Sequence, residues 1–119
     1  MFLEINSRIV DGVVVVDVAG ELSRRASALF TPIKQLLDQN HAHHVLNLSS
    51  VRYIDSSGIG QLITIWTSVG NRRGQVVLLQ PPPRVREQLE MMKLDTVFTI
   101  LNDEADAVQR VLKAIPPRS

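Results

Sequence analysis

The chain has 119 residues, enough for one domain with a hydrophobic core and too few for two ordinary ones. Its 13 Lys and Arg residues nearly balance its 12 Asp and Glu residues, and the formal charge of +1 favours neither a nucleic-acid binder nor a membrane-surface protein. The absence of cysteine excludes disulfides, and no apolar run approaches the ~20 residues of a membrane span. We therefore expect a cytoplasmic protein without membrane insertion or direct nucleic-acid binding.

The N-terminal third predicts a β-hairpin followed by a helix. Residues 3–10 and 13–19 are rich in β-branched side chains, and Asp11-Gly12 between them suits a two-residue hairpin turn. An apolar stripe with spacings of three and four then predicts the first helix, on Leu29, Phe30, Ile33, Leu36 and Leu37. Pro32 leaves two alternatives, a kinked helix or one whose regular part begins just before the proline.

The middle of the chain predicts a strand, a helix and a further strand. The strand begins with the alternating residues 44–48 and leads to Asp55, where the second helix starts. The apolar face of that helix is assigned to the core, on Ile59, Leu62, Ile63, Trp66 and Val69. Residues 76–79 form a continuous apolar run of strand length, which is typical of a strand covered on both faces.

The third helix follows three consecutive prolines and leads to the last strand. Val85, Leu89 and Met92 share one face of this helix, and residues 97–101 form the strand. Met91 and Met92 add more apolar surface than one stripe needs, so core packing is the default and a partner contact is the alternative.

The last helix completes the order β-β-α-β-α-β-α-β-α. Asn102 and Asp103 are its candidate caps, and its apolar face is assigned to Ala105, Val108, Val111 and Leu112. This order predicts an α/β fold with a mixed, mainly parallel sheet, an N-terminal hairpin and about four helices. We assign residues 1–115 to a single domain and residues 116–119 to a flexible tail.

The junction at residues 53–60, YIDSSGIG, is the most informative stretch, because a strand stops and a helix starts there. A serine on a first helical turn faces unpaired backbone N–H groups and the positive end of the helix dipole. That setting suits a phosphoryl group of about −1.5 to −2 charges. Helix capping, worth ~1 kcal/mol, uses the same residue types. The residues alone therefore do not decide between a phosphorylation switch and a simple helix cap. Ser56 and Ser57 are equally eligible as the phosphate acceptor.

Catalytic and cofactor alternatives have weaker support. The chain has no GxxxxGK[ST] and no GxGxxG at the first strand-to-helix turn, which argues against nucleotide binding. GxSxG is also missing, and no histidine can be assigned as a base for Ser56. His41, His43 and His44 lack the ligand spacing of a metal site, so exposed loop histidines are expected. We predict no enzymatic activity, no cofactor and no metal.

Residues 45–60, VLNLSSVRYIDSSGIG, resemble the signature of the STAS domain, the sulphate transporter and anti-sigma factor antagonist family. The similarity extends through a Gly-Glu-Leu step at 20–22, a turn at Gly74, a Pro-x-x-Val-x-x-x-Leu helix at 82–89 and Leu94. Among family members, a free-standing domain of this length is most similar to the bacterial anti-sigma factor antagonists.

The resemblance implies partner switching. In that scheme the unphosphorylated antagonist binds an anti-sigma factor that is a serine kinase, phosphorylation by this kinase dissociates the complex, and a phosphatase resets it. The acceptor in the family motif is the hydroxyl residue directly after the aspartate, which implies Ser56. Asp55, Ser57 and Gly58 are then supporting residues.

A partner-binding surface is expected around this acceptor, on Glu21, Leu22, Ser23, Arg24, Arg25, Ile59 and Gln61. The family often has Gly-Glu-Leu-Asp where this chain has serine at position 23, which leaves the choice of partner open. Solvated faces are expected for five arginines, some of which could assist an acidic partner or a phosphoserine: Arg52, Arg72, Arg73, Arg84 and Arg86.

The resemblance also leaves a second class of function open. In that alternative the chain is a non-phosphorylated STAS scaffold, or a regulatory subunit of a stress-signalling or transporter complex. A homodimer or a larger assembly is compatible with either class.

Overall fold

The computed structural model describes residues 3–23 and 29–114. The strands are β1 (Leu3–Val10), β2 (Val13–Leu22), β3 (His44–Ile54), β4 (Val76–Leu79) and β5 (Thr99–Leu101). The helices are α1 (Phe30–Asp38), α2 (Ser56–Asn71), α3 (Pro83–Met91) and α4 (Glu104–Ala114), with a short 3₁₀ turn at Leu94–Thr96. The tail predicted at 116–119 lies outside the described residues.

The five strands form one mixed sheet in the order β1-β2-β3-β4-β5. The first two strands pair antiparallel, and the other three pairs of neighbours are parallel. Asp11 and Gly12 join the hairpin with φ angles of 53° and 83°, and two positive φ angles are the requirement of a type I′ turn. The predicted α/β fold, with its mainly parallel sheet and N-terminal hairpin, is confirmed.

Helices cover the two faces of the sheet unequally. Buried side chains of α1, α2 and α3 share one large core with one face. On the other face α4 packs its Ala107, Val108 and Val111 against alternate residues of β2, β3 and β4. All four residues of β4 are buried, as predicted for a strand covered on both faces. The parallel strands β2 and β3 both run toward the start of α2, which places that turn at one end of the sheet.

The predicted core face of α2 is wrong at two positions. Ile63 and Trp66 remain 39% and 43% exposed, and the fully buried Ile65 takes their place. Both sets of residues fit spacings of three and four, so periodicity alone cannot say which row meets the sheet. Trp66 instead meets Phe98 edge-on, with ring centroids 6.4 Å apart.

Two element boundaries are settled by the structure. Pro32 lies in the first turn of α1, where the missing N–H of proline costs no helical bond, so the helix beginning just before the proline is the correct alternative. The last strand is shorter than predicted, because a 3₁₀ turn precedes it and Val97 is 45% exposed.

Single residues of three other predicted elements also differ. Met92 is 54% exposed and lies outside the buried face of α3. Ala105 is exposed, and Ala107 is buried in its place. His44 is fully buried at the start of β3, contrary to the expected exposed loop, and its Nε2 lies 2.7 Å from the His41 carbonyl oxygen.

Candidate functional site

The first turn of α2 is capped by Asp55. This residue has an extended backbone, and its Oδ1 accepts a hydrogen bond from Gly58 N at 3.0 Å. Its carbonyl oxygen accepts the first helical bond, from Ile59 N at 2.9 Å. The amides of Ser56 and Ser57 therefore remain without an intrahelical partner, at the positive end of the helix dipole.

The start of α2 packs tightly against the end of β2. Asp55 N donates to the Leu22 carbonyl oxygen at 3.2 Å, which ties the cap to the neighbouring strand. A Cβ on Gly58 would overlap that same carbonyl and lie 2.8 Å from Ile54 Cγ1, so only glycine fits without a shift. At Gly60 a Cβ would meet nothing within 4 Å. The close approach that positions the turn thus depends on one glycine.

Both serine side chains of this turn are exposed. Within residues 3–23 and 29–114, the hydroxyls of Ser56 and Ser57 make no hydrogen bond, so Asp55 provides the cap without help from either serine. The first turn also contains no acidic side chain. Exposure does not separate the two serines, and the choice of Ser56 rests on the family motif.

The residues predicted to bind a partner differ in how far they are buried. Leu22 and Ile59 are 0% and 2% exposed and belong to the core, so their assignment as partner contacts is corrected. Leu22 contributes to the site through its carbonyl oxygen alone. Arg24 and Arg25 lie outside the described residues.

Three polar side chains of that set have buried atoms that find no hydrogen-bond partner among the described residues. These atoms are Glu21 Oε2, Ser23 Oγ and both amide atoms of Gln61. Glu21 and Ser23 flank Leu22, and Gln61 lies one helical turn beyond Gly58 on the same side of α2. Because buried polar groups are normally paired, these atoms are suited to hydrogen bonds that the described residues do not supply.

The histidines lie far from Ser56. His44 begins β3 and Ser56 follows its end, and a strand of 11 residues at about 3.3 Å per residue separates the two by roughly 30 Å. That distance excludes a serine–histidine pair at this turn. The described part of the chain holds no group of three or more His, Asp or Glu side chains arranged for a metal ion. None of its helices combines the length and hydropathy needed to cross a membrane.

Known proteins are similar to this chain in sequence or in fold. The anti-sigma F factor antagonist of Paenibacillus polymyxa is 26% identical over 99 residues, covering 82% of this chain and 85% of that protein. The crystal structure of an anti-sigma factor antagonist from Mycobacterium paratuberculosis has a TM-score of 0.82 and 26% identity, covering 92% of this chain and 94% of that one. The Bacillus protein SpoIIAA in its unphosphorylated form shares the fold, with a TM-score of 0.78 at 23% identity over 96% of this chain and all of its own.

The family model described as the STAS domain matches residues 4–107. This range runs from the first strand into the last helix and includes the turn at Ser56. The chain belongs to the STAS domain family.

Proposed function

We propose that this chain is an anti-sigma factor antagonist that binds an anti-sigma factor while Ser56 is unmodified and releases it when Ser56 is phosphorylated. The observation that carries this proposal is the start of α2, where Asp55 supplies the cap and Ser56 is exposed in a first turn that carries no acidic side chain. The similarity to proteins named anti-sigma factor antagonists supports the class of partner.

A phosphoryl group on Ser56 is compatible with the folded state. Esterification of its Oγ breaks no hydrogen bond of the helix start, because the cap is formed by Asp55 and Gly58. The added charge of about −2 lies at the positive end of the helix dipole, where a negative charge is worth about 0.3–1 kcal/mol. The modification therefore changes the outer surface and leaves the packing beneath it intact.

The same group opposes partner binding. A partner surface fitted to a neutral hydroxyl must admit three further oxygens and their charge, and a loss of about 3 kcal/mol weakens a complex more than about 100-fold. In the proposed cycle the anti-sigma factor is a serine kinase. It transfers the γ-phosphoryl group of ATP to Ser56 Oγ, with release of ADP and of the hydroxyl proton. A phosphatase hydrolyses the ester with water and restores the hydroxyl.

The direct test uses purified serine-kinase anti-sigma factors encoded in the same genome. Each is incubated with ATP and with the wild type, Ser56→Ala or Ser57→Ala, and the phosphate is located by mass spectrometry. We expect phosphate on Ser56 in the wild type and in Ser57→Ala, and none in Ser56→Ala. Ser57→Ala is the matched control, since Ser57 is also exposed and its hydroxyl also lies outside the cap.

Binding measurements complete this test. We expect Ser56→Ala to bind its anti-sigma factor as the wild type does before phosphorylation, and to remain bound after ATP is added. Phosphate on Ser57 alone, or equal binding by both phosphorylation states, would overturn the mechanism. Stable co-purification of an unphosphorylated chain with a transporter or a large assembly would favour the scaffold alternative.

A further inference from the structure

An open groove lies beside the proposed acceptor, between the end of β3 and helix α3. Its volume is about 300 Å³, and its lining includes Arg52, Tyr53, Ile54, Arg84, Glu87 and Met91. Ile54 precedes Ser56 by two residues, so the Cα atoms of these residues lie within about 8 Å of each other. A standard protein interface covers about 800 Å² on each partner, which is wide enough to include both features.

The groove exposes apolar side chains that the core does not use. Tyr53 is 50% exposed and Met91 is 73% exposed, although both line the groove. The buried face of α3 is formed by Val85 and Leu89, so Met91 is not needed for packing. Aromatic side chains and methionine are enriched at protein interfaces, where they provide large contact areas. This composition fits an apolar anchor from another protein.

The electrostatics around the groove favour an acidic occupant. Arg84 is exposed, and no ion pair holds it within the described ranges. It lies in the first turn of α3, where the N-terminus of the helix adds positive potential. Glu87 is the one acidic side chain among the described residues of the lining.

We propose that this groove is the second half of the docking surface for the anti-sigma factor. It takes an apolar side chain from an acidic segment of that partner, and a carboxylate of the same segment pairs with Arg84. The identity of the partner rests on the proposed function. A phosphoryl group on Ser56 then faces an acidic segment, and charge repulsion adds to the loss of shape fit in releasing the partner.

The test compares two groove variants with two matched controls. Arg84→Glu reverses the charge and places an acid in the first turn of α3, which the helix dipole favours, so folding is not endangered. Met91→Gln removes apolar character at nearly constant size and helix propensity. The controls are Arg110→Glu on α4, at the opposite face of the sheet, and Met92→Gln, the adjacent exposed methionine outside the groove lining. Affinity for the cognate serine-kinase anti-sigma factor is measured by titration calorimetry, with Ser56→Glu as a reference.

We expect Arg84→Glu to weaken binding about 100-fold and Met91→Gln about 10-fold, with both controls within about twofold of the wild type. Wild-type affinity in both groove variants, together with weak binding by Ser56→Glu, would overturn the groove assignment and leave the proposed function standing. Equal losses in groove and control variants would also overturn it. Binding of the wild type by none of the anti-sigma factors would overturn the proposed function, and the groove assignment with it.

Discussion

The first turns of α2 and α4 are each capped by an aspartate side chain, but they differ in charge. Asp55 Oδ1 accepts from Gly58 N at 3.0 Å, and Asp103 Oδ2 accepts from Asp106 N at the same distance. The first turn of α4 carries Glu104 and Asp106, whereas the first turn of α2 carries no acid. An aspartate cap therefore does not by itself distinguish the start of α2 from that of α4. The uncharged first turn is what sets the start of α2 apart.

The negative charge in the first turn of α4 already takes part in an ion pair within the protein. Glu104 pairs with Arg8, whose Nη1 donates to Glu104 Oε2 at 3.0 Å and whose Nε donates to Asp17 Oδ2 at 2.8 Å. These contacts tie the N-terminal hairpin to α4. Beyond its capping Asp55, the first turn of α2 carries no acidic side chain, so a phosphoryl group can add a negative charge there and a phosphatase can remove it. The comparison separates a structural helix start from one suited to regulation.

The largest expected effect tests the packing under the first turn of α2. Gly58→Ala forces a Cβ into the Leu22 carbonyl, and we expect a loss of about 3 kcal/mol in the free energy of unfolding. Gly60→Ala is the matched control in the same helix, where open space and better helix propensity predict a gain of up to about 1 kcal/mol. Urea unfolding measures both. Equal values for the two variants would contradict the tight packing of this turn.

The two caps can be broken separately. Asp55→Ala and Asp103→Ala should each lower the free energy of unfolding by about 1 kcal/mol, because each leaves one amide without its side-chain partner. Binding to the anti-sigma factor should fall only in Asp55→Ala, whose cap positions Ser56. A similar loss of binding in Asp103→Ala would show that the effect comes from general destabilisation.

A fixed charge can test the electrostatics of the α2 start. Ser56→Asp should raise the free energy of unfolding by about 0.5 kcal/mol at low ionic strength, because the acid interacts favourably with the helix dipole. Thr67→Asp, exposed toward the other end of α2, should lower it by a similar amount. Chemical unfolding at low and high salt gives both values. The same sign for both variants would rule out a dipole effect.

The smallest effect concerns the permanent charge of α4. Hydrogen bonds from Arg8 lower the pKa of Glu104 below its ordinary value of 4.5. The ionised form is therefore favoured in the folded state, and its contribution is present above pH 4.5 and lost as the pH falls below that value. Because the pair is about 40% exposed, we expect Glu104→Gln to lower the free energy of unfolding by less than about 0.5 kcal/mol at pH 7. As the pH drops below 4.5, the stability of this variant should fall less than that of the wild type.

His44 provides an internal reference for this pH experiment. Burial lowers its pKa below 6.5, so its neutral form stabilises the fold above that pH and this contribution declines as the pH falls from there. Glu104→Gln should not change the decline in stability that His44 causes as the pH falls from 6.5. If the stability of Glu104→Gln falls below pH 4.5 as steeply as that of the wild type, the contribution of the Arg8–Glu104 pair would be contradicted.

Local signals in the sequence predicted much of the fold. The hairpin turn could be predicted because Asp11 and Gly12 themselves favour the positive φ angles that it requires. The burial of β4 could be predicted because all four of its residues are apolar. The helix start at Ser56 could be predicted for the same reason, because the capping hydrogen bond joins Asp55 to an amide only three residues further along the chain. Features that depend on a few neighbouring residues are readable from the chain itself.

Features that depend on distant neighbours could not be predicted. Whether Ile65 or Trp66 meets the core is decided by the direction from which the sheet packs on α2. The sequence predicts Leu22 on the partner surface, although its side chain points into a core assembled from distant elements. The groove beside Ser56 likewise exists because α3 packs next to β3, where Tyr53 and Met91 come together from distant parts of the chain.

The central claim is that charge added at Ser56 releases the partner while the fold persists. The most direct measurement is the affinity of a protein carrying phosphoserine at position 56 for its serine-kinase anti-sigma factor, determined by calorimetry beside the unmodified protein. We predict binding at least about 100-fold weaker for the phosphorylated protein, corresponding to about 3 kcal/mol. Equal affinity of the two forms would contradict the account.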